Sequence, residues 1–258
     1  MKIRLSKRLE MIASFVPAGC VLADIGTDHA WIPVRLVLDG TVEKAIAADI
    51  RRGPILIAEK HIREAGLADR IEARISDGFQ KLLPGEADCV LIAGMGGETI
   101  TAILKGGEQP RKDGAVLNST VSLFVLSPNT EWHLVRRYLR ENRYRILDEK
   151  MTAEDGKFYL VLKAVPPDTL KDKAAADPYE KALRSGFSLE TSDLFGPCLL
   201  LSADPVLAGY LRKEKKQYEQ ILDVLENENR ANKNAALKSI EREQEIRSYL
   251  SKISEAMA

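Results

Sequence analysis

Long hydrophobic runs are missing from this sequence of 258 residues. No stretch approaches the roughly 18 apolar residues of a membrane span, so none is expected. Cysteine is scarce. Cys20, Cys89 and Cys198 stand far apart and none forms a C-x-x-C pair, so no zinc site is expected. Cys20 and Cys89 fall in apolar, strand-like runs, which suits buried free thiols in a reducing cytoplasm. Histidine is scarce too, and His29 has no neighbouring cysteine or serine arrangement that would make a metal site or a nucleophile triad. A charge excess of one sign is also absent. The 38 basic and 38 acidic residues cancel, so any nucleic-acid surface has to be a local patch. The N-terminus lacks an A-x-A cleavage site. Leu5, Leu9, Ile12 and Val16 recur at helical spacing, which predicts an amphipathic helix rather than a signal peptide.

What is present is an alternation. From Cys20 to about Val165, strand-like runs (CVLADI, KAIAAD, IEARIS, DCVLIAG, VSLFVLS, YRILDEK, FYLVLKAV) alternate with helical segments near 31–38, 53–65, 97–105 and 131–142. This pattern predicts an α/β fold with a mostly parallel sheet covered on both faces. Only MTAEDGK separates the last two runs, too little for a crossover helix, so that pair should be antiparallel. Residues 166–203 are irregular and rich in proline and read as a connecting segment after a domain at 1–165. From 204 to 258 glycine and proline nearly vanish, and Asp204-Pro205 reads as an N-cap with proline in the first turn. One apolar stripe runs through Leu207, Leu211, Tyr218, Ile221, Leu222 and Leu225, a second through Leu237, Ile240, Ile246, Leu250 and Ile253. The break at ENENRANKN favours an α-helical coiled-coil hairpin over one long helix.

Glycine is also short where a nucleotide loop would need it. VLADIGTDHAWIP, residues 21–33, ends a strand and opens a turn, yet it has Gly26 alone where a dinucleotide loop has three glycines. A pyrophosphate there would meet Asp24 and Asp28 and be repelled, whereas a ligand with a cationic end would be attracted. S-adenosylmethionine, with its ammonium and sulfonium, fits that description. Asp24 serves equally well as a turn or helix cap. Asp49, at the end of the second strand, suits both hydroxyls of a ribose. Asp77 could take an adenine amino group, with Gly78 leaving room and Phe79 giving cover, although D-G is also an ordinary turn. Gly94, Gly96 and Gly97 in IAGMGGET allow close backbone approach and offer N–H groups rather than a strong base. Asn129 carries an amide suited to a base edge, and EDGKFY, Glu154 to Tyr159, could face the same cleft. His29 is read as orienting its loop. Local basic clusters occur at Lys2, Arg4, Lys7 and Arg8, at Arg51 and Arg52, at Arg136, Arg137, Arg140, Arg143 and Arg145, and at Arg212, Lys213, Lys215 and Lys216. Such clusters are solvated faces or phosphate contacts.

LSKRL, DIGTDHAWIP, AADI, SDG, IAGMGGETI, LSPN and EDGKFY, in this order, resemble the bacterial TrmK family across essentially the whole chain. Trp31 and Ser127 depart from the resemblance, which has tyrosine and glutamine at those places. The resemblance implies a class I (Rossmann-like) methyltransferase domain with an antiparallel last strand and a C-terminal coiled coil. It implies S-adenosylmethionine-dependent methylation of adenine N1 at position 22 of transfer RNA, in the cytoplasm, by a chain expected to be a monomer. The cofactor would meet Asp24, Gly26, Thr27, His29, Asp49, Ile50, Asp77, Gly78, Ala93, Gly94, Met95 and Gly96. Asp28 and Asn129 would stand at the reacting end. Lys7, Arg8, Arg51, Arg52 and Gly97, with Lys213, Lys215 and Lys216 of the hairpin, would meet the RNA. The alternatives are a methyltransferase for another acceptor and a cofactor-binding coiled-coil adaptor.

Overall fold

The computed structural model describes residues 3–112, 114–167, 169, 177–231 and 237–258. Helix α1 (Lys7–Ala13) is capped at its N-terminus by Ser6 and is followed by β1 (Val21–Ile25), α2 (Trp31–Leu38), β2 (Lys44–Asp49), α3 (Arg52–Glu64), β3 (Ile71–Ile75) and β4 (Cys89–Ala93). Next come α4 (Gly97–Glu108), β5 (Leu123–Ser127), α5 (Trp132–Glu141), β6 (Arg145–Glu154) and β7 (Lys157–Val165). The strands form one seven-stranded sheet in the order β3-β2-β1-β4-β5-β7-β6. β1 to β5 are parallel and β7 inserts antiparallel between β5 and β6. The central strands are apolar on both faces because helices cover both, and Leu22, Val90, Leu91, Phe124 and Val125 are wholly buried. β3, at the edge, keeps a mixed pattern.

The antiparallel pair is longer than the sequence reading allows. Most of the MTAEDGK linker is strand, and the turn shrinks to Asp155 and Gly156, both at positive φ (50° and 73°). Asp-Gly is the pair that a two-residue hairpin of this hand favours. β1 and β4 flank the point where strand order reverses. Open α/β sheets bind ligands there, beyond the carboxyl ends of the strands.

Two compact units divide the chain, Met1–Asp177 and Pro178–Ala258. Residues 166–203, read from sequence as a connector, hold three short helices in their described part. These are α6 (Pro178–Arg184), α7 (Leu189–Phe195) and α8 (Pro197–Leu201), all in the second unit with α9 (Pro205–Ala231) and α10 (Leu237–Met257). Asp204 caps α9, its Oδ1 accepting the N–H groups of Val206 and Leu207 at 2.8 and 2.9 Å. α9 and α10 run antiparallel. Tyr249 donates to Glu214 at 3.1 Å, Arg247 reaches Glu226 at 2.7 Å, and Asn229 reaches Glu243 at 2.9 Å. The apolar stripes are buried at one end only. Leu207, Leu211, Ile246 and Ile253 are covered, while Leu237 is 78% exposed. Residues 232–236, within the sequence break between the two helices, lie outside the described residues.

Candidate active site

The loops after β1, β2, β3, β4 and β5 surround one cleft at the carboxyl ends of the strands. Met95 divides it. Its terminal methyl group sits where a side chain on Gly26 would begin, so Gly26, at φ 78°, cannot be exchanged without displacing it. On one side lies a cavity of about 1300 Å³ lined by Ile25, Asp49, Ile50, Ser76, Asp77, Gly78, Phe79 and the α4 face of Thr99, Ala102 and Ile103. On the other lies a cavity of about 350 Å³ lined by Arg8, Leu9, Asp24, Thr27, Asp28, Trp31, Ile32, Arg51, Ala93, Gly94 and Asn129. Gly26, Asp49 and Met95 belong to both.

Asp24 is buried at the end of β1 and accepts one hydrogen bond, from the Thr27 hydroxyl at 2.6 Å. Burial pushes its carboxyl up to about 7. The Thr27 bond opposes the rise, and the neighbouring carboxylates of Asp28 and Asp49 add to it. Asp49 is also buried, and its Oδ1 accepts the main-chain N–H of Arg51 at 2.7 Å. Asp77 is exposed and accepts from Gln80 at 3.1 Å. Asp28 reaches into solvent, with its side chain 86% exposed and 3.5 Å from His29 Nε2.

The turn that presents Asp28 is strained. His29 and Ala30 both take left-handed backbone, φ 60° and 57°, which costs a non-glycine residue roughly 1–2 kcal/mol each. Ala30 is also the N-cap of α2 and has no side chain with which to cap it. His61 of α3 meets this turn, its Nδ1 lying 2.9 Å from the His29 carbonyl oxygen and its ring 4.2 Å from Trp31.

Opposite, the loops after β4 and β5 are joined. Gly94 N–H donates to Ser127 O at 3.0 Å, Asn129 N–H to Met95 O at 2.8 Å, and Gly97 N–H to Thr130 O at 3.1 Å. The Asn129 amide donates to Gly94 O at 2.8 Å and accepts from Arg8 Nη2 at 3.0 Å. Arg8 in turn lies 4.9 Å from the centre of the Tyr159 ring, and its Nε is buried without a partner. Glu154 fixes this corner. Its carboxylate accepts the main-chain N–H groups of Lys7 and Arg8 at 2.9 and 3.3 Å. Desolvation pushes the Glu154 pKa up, but those N–H groups, with the Ser6 hydroxyl and the Lys7 charge, outweigh it and hold the carboxyl below its ordinary value.

The chain is similar to known proteins. A family model described as a methyltransferase domain matches residues 5–162. A tRNA (adenine(22)-N(1))-methyltransferase of Bacillus subtilis (strain 168) is 35% identical over 231 residues, 88% of this chain and 90% of that protein. The chain belongs to the TrmK family. The crystal structure of the B. subtilis m1A22 tRNA methyltransferase TrmK superposes with a TM-score of 0.82 at 32% identity, covering 100% of both chains. That of M. capricolum TrmK, in complex with S-adenosyl-homocysteine, gives a TM-score of 0.71 at 27% identity, over 96% and 99% of the two chains.

Within this TrmK fold the cleft gathers Arg8, Asp24, Gly26, Thr27, Asp28, Asp49, Ile50, Arg51, Asp77, Gly78, Ala93, Gly94, Met95 and Asn129. Others expected there line neither cavity. Gly96 and Gly97 instead let α4 approach the following turn, and a Cβ on Gly97 would press against Glu131. Gly96 has no positive φ and serves as the N-cap of α4. His29 stands behind Asp28, and Lys7 and Arg52 lie outside both linings. Lys213, Lys215 and Lys216 belong to the second unit. Trp31 lines the smaller cavity. Ser127 does not: it is buried and donates from Oγ to Leu160 O at 2.7 Å. Sequence reasoning did not single out His61 or Glu131, because each acts through a fold contact rather than a motif. Among the described residues no cluster of His, Cys, Asp and Glu could hold a metal ion, and no helix is long and apolar enough to cross a membrane.

Proposed function

We infer that this chain methylates N1 of an adenine in transfer RNA, at position 22, using S-adenosylmethionine. The carrying observation is the buried Asp24 carboxyl, which has one hydrogen bond and a pKa raised to about 7. Such a group asks for a cationic ligand, and it lines a cavity of about 350 Å³ that can admit a flat ring, beside the larger one of about 1300 Å³. Asp24 would hold the ammonium end of the cofactor, Asp49 the ribose, and Ile50, Asp77 and Phe79 the adenine. Bound there, S-adenosylmethionine supplies an electrophilic methyl group.

The chain's own task is to deliver the acceptor. Adenine N1 has a lone pair and needs no general base, so the carboxylates that line the smaller cavity beside Trp31 and the Asn129 amide are left to bind and to stabilise charge. Methylation at N1 leaves the base cationic. The Asp28 carboxylate would accept the N6 amino hydrogen and stabilise that charge as it develops. Asn129, held at both ends of its amide, would position the base edge. N1 is engaged in a paired base, so the target adenine has to be unpaired or turned out of its stack. Arg51 and Arg8 would meet the flanking phosphates, and Lys213, Lys215 and Lys216 of α9 would meet phosphates of the same RNA. Three cysteines outside any disulfide suit the cytoplasm.

Incubating the chain with methyl-labelled cofactor and transcribed transfer RNA tests this. One methyl group per RNA, a reverse-transcription stop at position 22 and no incorporation when that adenine is replaced by guanine are the expected results. Label on N6, or at another position, would overturn the reading.

A further inference from the structure

We propose that His61 is a positioning residue for methyl transfer: its hydrogen bond to the main-chain oxygen of His29 holds the left-handed turn that sets Asp28 and Trp31 around the acceptor. The proposal rests on the acceptor reading above. His61 stands in the last turn of α3, outside both cavity linings, so it acts through other residues. A carbonyl oxygen can only accept, so at 2.9 Å the Nδ1 atom must carry the hydrogen, in a neutral or a protonated ring alike.

Three features make this contact more than packing. The carbonyl it holds lies between two residues that both tolerate left-handed backbone poorly, His29 at φ 60° and Ala30 at φ 57°. The turn's own main-chain bond, Trp31 N–H to Asp28 O, is long at 3.5 Å. The residues on either side of the turn, Asp28 and Trp31, both line the smaller cavity. The imidazole also lies against Trp31, with centroids 4.2 Å apart and planes 36° apart, and meets the His29 ring edge-on at 6.0 Å. One side chain on α3 therefore fixes the backbone of the turn and backs the aromatic wall of the acceptor cavity. Cofactor contacts at Asp24, Asp49 and Asp77 do not run through it.

Two variants of the full chain separate the hydrogen bond from the ring. His61→Phe keeps a ring against Trp31 and removes the donor. His61→Asn keeps an N–H at the same branch point and removes the ring. In His61→Phe, hydrogen exchange at the amides of residues 29–32 should quicken, while β1 stays protected. Its kcat on transfer RNA should fall about 10- to 100-fold with cofactor Kd changed by less than about twofold. His61→Asn should restore slow exchange and most of kcat. Wild-type exchange and kcat in His61→Phe would overturn the proposal. So would equal loss in both variants, or a loss of cofactor affinity in step with kcat. A wild-type chain that leaves transfer RNA unmethylated would sink the functional reading, and the exchange comparison would still decide the role of His61.

Discussion

Arg8 and Asn129, 121 residues apart, meet side chain to side chain, Arg8 Nη2 donating to Asn129 Oδ1 at 3.0 Å. The first helix of the chain thereby fixes an amide in the loop after β5. Removing the guanidinium frees that amide to turn. Arg8→Ala should lower kcat/KM for transfer RNA by roughly 1.5–3 kcal/mol in transition-state terms, the scale of a hydrogen bond to a charged group. Cofactor affinity, read by calorimetry, should hold. Arg8→Lys should not rescue, because an ammonium cannot reproduce the planar fork. Unaltered kinetics in Arg8→Ala would show that the amide needs no outside clamp.

Asp24 gives the cleft a pH signature. Burial raises its carboxyl from 3.8 to about 7. Between those values the folded chain binds a proton that the unfolded chain has released. The contribution of Asp24 to stability is therefore present at low pH and is lost as pH rises through about 7. A cationic ligand reverses the preference and needs the carboxylate. Cofactor binding near about pH 6.5 should therefore release protons, and affinity should fall as pH drops further. Calorimetry in buffers of different ionisation enthalpy reads the release. Asp24→Asn should raise the melting temperature of the ligand-free chain in mild alkali and remove most cofactor affinity. Binding without proton release would contradict the assignment.

Gly97 and Gly53 differ in what a methyl group would meet. At Gly97 it would fall 2.9 Å from Glu131 Cβ and closer still to the main-chain oxygen of that residue. At Gly53 nothing lies within 4 Å. Gly97→Ala should cost about 1–3 kcal/mol, as overpacking does. Gly53→Ala, in α3, should be neutral or stabilise by up to about 1 kcal/mol. Thermal unfolding of both variants tests this, and equal melting temperatures would refute it.

Reversing Lys213, Lys215 and Lys216 to glutamate should weaken transfer-RNA binding while leaving cofactor affinity intact. The slope of log affinity against log salt should become shallower by up to about three, because fewer counterions are released. A binding titration at several salt concentrations measures this. An unchanged slope would leave the second unit without a phosphate contact at this stretch.

The sheet was legible because its strands are apolar runs closed by turn residues, and because Asp24 and Asp49 place an acid at the carboxyl ends of theirs. The hairpin of β6 and β7 was legible in direction but not in length: Asp155-Gly156 alone turns the chain, and the rest of MTAEDGK reads as polar linker until a partner strand pairs it. The glycine cluster after β4 misled in part. Gly26 and Gly94 border the cleft, whereas Gly97 makes room for Glu131, and one residue type serves both needs. His61, and the partners of Arg8 and Tyr159, were hidden for another reason. Their contacts join distant segments, and no local pattern encodes which helix face will reach a loop 32 or 121 residues away.

The carboxylate of Glu154, seated on the first turn of α1, also dates the site within synthesis. Residues 24–95 contain every aspartate expected to meet the cofactor, joined by neighbouring parallel strands. The corner built by Arg8 and Asn129 leans on Glu154 and Tyr159, some 147 positions after Lys7. A chain emerging N-terminus first can therefore assemble the carboxylates of the cleft before the corner at Arg8 is fixed. Nascent or truncated forms ending before β6 would carry every residue that lines the smaller cavity but lack Glu154 and Tyr159, which hold Arg8 in place.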